Sequence, residues 1–143
     1  MREVRQFVAA DLIIEKGNKI LLVKRKIEPF KGTWGLPGGR MDAGETIEQT
    51  AIREMKEETR VRVKLTDILG VYSGTKRDPR GVCAVVFIAK YISGKPRGGD
   101  DAKIAKFVPE KEVFKYKLGF DHKKILRDYF KWRKNKGTYW STK

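Results

Sequence analysis

The sequence predicts a mixed α/β domain of the α+β type, in which several strands form one central sheet that two helices cover. Apolar, β-branched segments alternate with turn-rich segments along most of the chain, which is typical of strands. Residues 46–59 contain no glycine or proline and suit a helix. A second helical period follows residue 121. Because no repeat or linker separates these elements, we expect a single domain over residues 1–143.

The first predicted elements are a hairpin, a loop and a helix. Residues 7–14 and 20–24 are apolar and β-branched, and residues 15–19 between them have the composition of a turn. Residues 27–39 hold two prolines and four glycines, so we expect an ordered loop there. The first helix, residues 46–59, follows.

The rest of the chain predicts further strands and a closing helix. Four apolar segments separated by turn-rich stretches read as strands: residues 61–65, 68–72, 82–92 and 104–108. Asp121 is a good N-cap for a helix with apolar residues at helical spacing, which should end before Gly137. From about residue 131 the chain is strongly basic, and we expect a solvated tail.

Composition and charge exclude several classes of protein. Hydrophobic residues make up 40% of the chain, too many for a disordered segment, and no 18-residue apolar run suggests a membrane span. A lone cysteine, Cys83, excludes an internal disulfide framework, and the first residues do not resemble a signal peptide, so we expect a cytoplasmic protein. The net charge of +15 favours a polyanionic partner or substrate.

Three carboxylates share one face of the first predicted helix. Glu54, Glu57 and Glu58 stand at positions i, i+3 and i+4, within about one turn of each other. Such a cluster repels itself, and a hard divalent cation relieves that repulsion with oxygen ligands. Taken alone, such a cluster is more often the solvated face of a helix, paired with neighbouring Arg and Lys side chains.

The residues around this cluster carry a recognisable signature. Residues 39–61 read GRMDAGETIEQTAIREMKEETRV, and this stretch resembles the Nudix box, G-x5-E-x7-R-E-U-x-E-E-x-G-U, in which U is a bulky apolar residue. The matching positions are Gly39, Glu45, Arg53, Glu54, Met55, Glu57, Glu58 and Val61. Arg60 replaces the second glycine, where a left-handed helix end suits glycine. The resemblance implies the α/β/α sandwich of that family with a mixed central sheet.

The resemblance also implies a chemistry. Nudix proteins hydrolyse a nucleoside diphosphate linked to another group, and a divalent metal assists the attack of water on phosphorus. Mg²⁺ is the expected metal, with Mn²⁺ as the alternative. The implied metal ligands are Gly39, through its carbonyl, Glu54, Glu57 and Glu58. Glu54 is also a candidate for the general base, and Arg53 and Glu45 are expected to orient the carboxylates.

Segments outside the box resemble ADP-ribose pyrophosphatases. These segments are residues 70–73, 76–81, 98–103 and 119–122. The implied reaction splits ADP-ribose into AMP and ribose 5-phosphate. Two positions depart from this subgroup, since Gly74-Thr75 stands where a proline is common and Ile104 where a glutamate is common.

The departure at Ile104 leaves the general base open. Water attack needs a proton acceptor, and all the box carboxylates are candidates for binding metal. Asp100 and Asp101 follow two glycines and precede the strand that would flank the metal helix, so we prefer Asp101 as the additional base. The alternative is a turn-forming aspartate.

Substrate contacts are expected from cations and aromatic rings. Arg25, Arg77 and Arg80 are candidates for phosphate, because the guanidinium fork fits phosphate oxygens. Trp34 is a candidate for stacking on the base or ribose. The alternatives are a solvated basic face for the arginines and core packing for the tryptophan.

Two other functions compete with ADP-ribose hydrolysis. One is hydrolysis of nucleoside triphosphates, including oxidised ones, by the same box. The other is RNA binding or a decapping-like activity, suggested by the charge and by the aromatic residues in the basic tail. That tail also offers a contact for a second subunit, so a homodimer is an additional hypothesis.

Overall fold

The computed structural model describes residues 6–99 and 102–143. It contains eight strands: β1 (Phe7–Lys16), β2 (Lys19–Arg25), β3 (Trp34–Gly35), β4 (Gly38–Arg40), β5 (Arg62–Tyr72), β6 (Val82–Ser93), β7 (Ala102–Pro109) and β8 (Tyr139–Trp140). The helices are α1 (Ile47–Thr59) and α2 (His122–Asn135), with a short 3-10 helix at Glu110–Lys115. Neither α-helix in this part of the chain is long and apolar enough to cross a membrane.

The strands form one mixed sheet in the order β3-β2-β1-β6-β5-β8. The central pair, β1 and β6, is parallel from Phe7 opposite Val82 to Glu15 opposite Lys90. β5 pairs antiparallel with β6, and β2 with β1. Two further strands leave this path, since β4 pairs with β1 and β7 pairs with β2. β1 therefore holds β4, and with it Gly39, beside the centre of the sheet.

Alternate side chains of the central strands enter two separate apolar clusters, as the period of two in a strand requires. Ile13 and Ile88 belong to a cluster that α2 covers through Ile125 and Tyr129. On the other face, a second cluster is covered by α1, and its members include Leu12, Phe87, Ala51 and Met55. The expected α/β/α sandwich with a mixed central sheet is thus confirmed.

The loop and strand boundaries differ from expectation in two places. Residues 27–39, expected as a loop, contain β3 and begin β4, because the chain there pairs briefly with β2 and β1. The two strands expected at residues 61–65 and 68–72 form one strand, β5. Its ladder shifts register between Leu65 and Asp67, where the sequence suggested a break.

The basic segment from residue 131 is not a loose tail. α2 continues to Asn135 and buries Trp132, which is 7% exposed. After Gly137 the chain returns to the sheet, and Tyr139 and Trp140 pair in parallel with Gly70 and Val71 of β5. The expectation failed because the abundant lysines concealed apolar residues spaced to reach the sheet.

Candidate active site

A cleft of about 440 Å³ lies at the end of the sheet where β1 and β6 begin. One wall carries Gly39 of β4 and Glu54 and Glu58 of α1. A second group of lining residues, here called the basic wall, carries basic and aromatic side chains, and Ala9 and Asp11 of β1 also line the cleft. The residues of the basic wall are Arg25, Arg77, Asp78, Arg80, Phe120 and His122. The cleft therefore joins an acidic wall to a basic one.

α1 starts and ends with local signals that fix the acidic wall. Thr46 caps the helix by accepting a hydrogen bond from Gln49 N–H, and the Gln49 side chain accepts one from Thr46 N–H. At the other end Arg60 adopts the left-handed conformation (φ 64°, ψ 18°), and its N–H donates to the Lys56 carbonyl. The helix thus ends as the glycine in the family signature would end it, with arginine in a conformation that glycine adopts more easily.

One guanidinium group organises the carboxylates of α1. Arg53 binds both oxygens of Glu45, at 2.7 and 3.1 Å. Its Nη1 also donates to Glu54 at 2.8 Å and to Glu57 at 3.2 Å. The Arg40 carbonyl accepts from Nη2 at 3.1 Å, which ties the arginine to β4. Arg53 therefore contacts three carboxylates and the backbone of β4 at once.

Glu45 is the most strongly held of these carboxylates. Besides Arg53, it accepts hydrogen bonds from the Asp42 N–H and from the Thr50 hydroxyl. Hydrogen bonds from Arg53, then from Asp42 and Thr50, lower the pKa of Glu45 from 4.5 to about 2. The same bond to Glu45 raises the pKa of Arg53. This pair is ionised at every pH at which the protein is expected to act.

The acidic wall has the donor chemistry that a divalent cation needs. Gly39 lies so close to the Glu54 carboxylate that an added methyl group would displace that side chain from its present position. Glu58 is 6% exposed and lines the cleft, while the side chain of Glu57 is 45% exposed. Among the described residues, no three acidic, histidine or cysteine side chains already converge as a group able to hold a cation. Glu54 and Glu57 share Arg53 instead, and Glu57 is not among the residues that line the cleft.

The basic wall is built on the loop between β5 and β6. Arg77 is nearly buried, and its guanidinium binds Asp121 through two bonds of 3.0 Å and the Val82 carbonyl at 2.8 Å. Burial alone would lower its pKa, but the Asp121 carboxylate outweighs burial and the pKa is raised. Arg80 pairs with Asp78 at 2.9 Å and is more exposed. Arg77 thus anchors the loop, and Arg80 is the better placed of the two to contact phosphate.

Three cleft residues were missed by sequence reasoning as site residues. Phe120 lies in the cleft with the Arg25 guanidinium 5.1 Å from its ring, and it adopts a positive φ of 51°. His122 is buried, and its Nδ1 accepts a hydrogen bond from the Leu36 N–H at 2.9 Å. Its Nε2 lies 3.6 Å from the carboxylate of Asp11. A strained aromatic residue at a cleft is a signal available only in three dimensions.

Two of the expected contacts lie in different settings. Arg25 lines the cleft, where its Nε donates to the Pro29 carbonyl at 2.6 Å. Trp34 is not among the lining residues; its ring packs edge-on against Tyr116, and the Lys106 ammonium lies 5.0 Å from it. Pairing of β3 with β2 puts the indole there, which favours packing over substrate stacking.

Asp100 and Asp101 lie outside the described residues. Gly99, the last described residue before them, lies against the carbonyls of Glu57 and Glu58, and the Arg97 N–H donates to the Thr59 carbonyl at 3.0 Å. The segment that precedes the two aspartates therefore packs on the C-terminal end of α1.

Comparison with known proteins places this arrangement in a family. The family model described as NUDIX domain matches residues 5–129. An ADP-ribose pyrophosphatase of Methanocaldococcus jannaschii is 53% identical over 127 residues, which cover 88% of this chain and 74% of that protein.

Solved structures agree. The NUDIX domain of Shewanella oneidensis NrtR complexed with ADP ribose superposes with a TM-score of 0.78 and 28% identity, over 90% of this chain and 89% of that one. A second structure is the bifunctional NMN adenylyltransferase/ADP ribose pyrophosphatase of Francisella tularensis, complexed with AMP and a manganese ion. It superposes with a TM-score of 0.75 and 29% identity, over 93% of this chain and 42% of that one.

Proposed function

Since this chain belongs to the Nudix hydrolase family, we propose that its substrate is ADP-ribose, which it hydrolyses to AMP and ribose 5-phosphate. The observation that carries this proposal is the cleft itself, whose lining combines the carboxylates Glu54 and Glu58 with the cations Arg25 and Arg80. A pyrophosphate needs both, metal-binding oxygens on one side and guanidinium groups on the other. The extensive likeness to an archaeal ADP-ribose pyrophosphatase supports the choice of substrate.

The acidic wall is proposed to hold the divalent metal that Nudix hydrolases need. Glu54, Glu57, Glu58 and the Gly39 carbonyl are the proposed ligands, and Mg²⁺ is the proposed ion, with Mn²⁺ as the alternative. When bound, such an ion neutralises the pyrophosphate and lowers the pKa of water. Arg53 holds Glu54 and Glu57 at the edge of the cleft, which lowers the cost of gathering like charges.

The proton acceptor for the attacking water is proposed to be Asp101 or Glu54. Asp101→Asn should then lower the single-turnover rate by about 10² to 10⁴, the usual contribution of a general base, with little effect on metal affinity. Asp100→Asn tests the neighbouring carboxylate, the second candidate in this segment. Unchanged rates in both variants would return the role to Glu54 or to the metal ion itself, which lowers the pKa of water.

The basic wall is proposed to bind the phosphates through Arg25 and Arg80, with Arg77 acting through the loop that it anchors. Trp34 stays a weaker candidate for stacking, because its ring already packs on Tyr116. A cytoplasmic location is a further proposal, supported by the single cysteine. A homodimer and a contact with RNA are also proposed, and the net charge of +15 supports the contact with RNA.

A panel of nucleotides tests the proposed function. The purified protein is incubated with Mg²⁺ or Mn²⁺ and with ADP-ribose, other nucleoside diphosphate derivatives, nucleoside triphosphates including 8-oxo forms, and capped RNA. Chromatography of the products should show AMP and ribose 5-phosphate with the highest kcat/KM for ADP-ribose. A higher kcat/KM for a triphosphate or for capped RNA would overturn the proposal in favour of that substrate.

A further inference from the structure

The segment that follows α2 reaches the base of the loop that forms the basic wall. The Ser141 hydroxyl oxygen accepts hydrogen bonds from two successive backbone groups, Ser73 N–H and Gly74 N–H, both at 2.9 Å. A hydroxyl oxygen has two lone pairs, so these bonds fill its acceptor capacity. Ser73 and Gly74 are the first residues after β5, where the chain leaves the sheet.

The position of Ser141 is itself fixed by the sheet. β8 ends at Trp140 and pairs with β5, so Ser141 is the next residue along a strand that is already in register. Gly70 of β5 allows this pairing, because an added methyl group there would overlap the Tyr139 carbonyl. Tyr139 is 9% exposed and belongs to the core beneath α2.

A second set of bonds joins the same segment to α2. Lys124 donates to the Lys143 carbonyl at 3.0 Å and to the Asp128 carboxylate at 2.9 Å. The same Asp128 oxygen accepts a hydrogen bond from the hydroxyl of buried Tyr72, at 2.8 Å. The end of β5 is thus held by its side chain at residue 72 and by its backbone at residues 73 and 74.

From this base the loop leads directly into the cleft. The Gly74 carbonyl accepts a hydrogen bond from the Arg77 N–H at 3.1 Å. This bond closes a turn that starts at Gly74, one of the two residues bound to Ser141. Arg77 then binds Asp121, and Asp78 and Arg80 follow as lining residues of the cleft. The loop is therefore fastened at its base by Ser141 and at its middle by Arg77.

We propose that Ser141 is a positioning residue: it holds the base of the loop at residues 73–81 in place and thereby determines the affinity of the cleft for its nucleotide substrate. The substrate part of this inference rests on the proposed function. Without the two bonds the loop samples other positions, and apparent affinity falls with the fraction of molecules whose loop is in place. The chemistry on the acidic wall is unaffected.

Three variants test this assignment. Ser141→Ala removes the hydroxyl, Ser141→Thr keeps it, and Thr142→Ala removes one from the exposed neighbouring residue as the matched control. Each is assayed well below its unfolding temperature. Ser141→Ala should raise KM for ADP-ribose about fivefold to tenfold with kcat within about twofold of the parent, whereas Ser141→Thr and Thr142→Ala should stay near the parent.

Hydrogen exchange gives a readout that does not depend on the substrate. The amides of Ser73 and Gly74 should exchange faster in Ser141→Ala and at the parental rate in the other two variants. Unchanged exchange at both amides, or an unchanged KM in folded Ser141→Ala, would overturn the assignment. If the parent protein does not hydrolyse ADP-ribose, the proposed function fails. The exchange measurement then still tests whether Ser141 holds Ser73 and Gly74, and KM is measured on the diphosphate that the panel identifies.

Discussion

Arg53 is the residue on which the acidic face of α1 depends. Its planar guanidinium binds Glu45 through two parallel bonds and still reaches Glu54 and Glu57 with one nitrogen. A lysine at this position could offer one ammonium point charge but not this fork. Arg53 therefore offsets part of the repulsion among these carboxylates before any ion arrives.

The first residue-scale prediction concerns the proposed metal ligands. Glu58→Gln and Glu57→Gln should each lower metal-dependent hydrolysis more than about 100-fold, since each removes a ligand charge at constant volume. Steady-state rates against Mg²⁺ concentration, with circular dichroism to confirm folding, provide the measurement. Glu48→Gln is the matched control, because Glu48 is an exposed acid of the same helix. Full activity in both ligand variants would contradict the assignment.

The second residue-scale prediction concerns pH. Because folding lowers the pKa of Glu45 from 4.5 to about 2, the folded state binds this proton more weakly than the unfolded state. The Glu45 contribution to stability is therefore full above about pH 5 and is lost as the pH falls towards 2. The difference in unfolding temperature between the parent and Glu45→Gln should shrink over this window. A difference that is constant from pH 7 to pH 2 would show that the ion pair does not stabilise the fold.

At the scale of elements, the end of α1 carries a conformational cost. Arg60 adopts a left-handed conformation that costs a side-chain-bearing residue roughly 1–3 kcal/mol, partly offset because glycine loses more entropy on folding. Arg60→Gly should therefore stabilise the protein by about 1 kcal/mol, or raise its unfolding temperature by about 3 °C. Calorimetry gives the value, and Arg62→Gly, at an exposed strand position, is the control that should destabilise. No gain in Arg60→Gly would mean that the arginine side chain compensates for the strain.

Local signals explain which elements the sequence could predict. α1 was predictable because its cap, its composition and its length all agree. β3 and β4 were not, because each is two or three residues long and exists only through pairing with distant strands. β8 was concealed in the same way, since it is two residues long and its partner, Gly70, is far away in sequence.

The residues of the candidate site also fall into two groups, those that are close in sequence and those that only the fold brings together. Glu54, Glu57 and Glu58 lie within one turn of a helix, so sequence spacing alone brings them together. Phe120 and Asp11 line the same cleft because the start of α2 lies near β1, where His122 approaches Asp11, and no local sequence pattern records that proximity. Trp34 was misleading for the opposite reason, since an aromatic residue among glycines looks exposed until its packing partner, Tyr116, is known.

For the whole molecule, the net charge of +15 predicts salt-sensitive catalysis. A basic protein concentrates an anionic substrate near its surface, and added salt screens this attraction over about 10 Å at 0.1 M. Raising KCl from 50 to 500 mM should lower kcat/KM about threefold to tenfold, while kcat at saturating substrate stays nearly constant. Steady-state assays at fixed Mg²⁺ check this, and a flat kcat/KM would mean that the charge has another use.

The two apolar clusters on opposite faces of the sheet affect how the sequence of this protein can evolve. α1 and its carboxylates cover one face of the sheet, whereas α2 covers the other, where Tyr139 of β8 enters the same cluster. Substitutions at sites more than about 7–10 Å apart that share no partners combine nearly independently. Descendants of this protein can thus keep α1 and its carboxylates unchanged, while substitutions on the face that α2 covers alter which nucleotides the cleft admits.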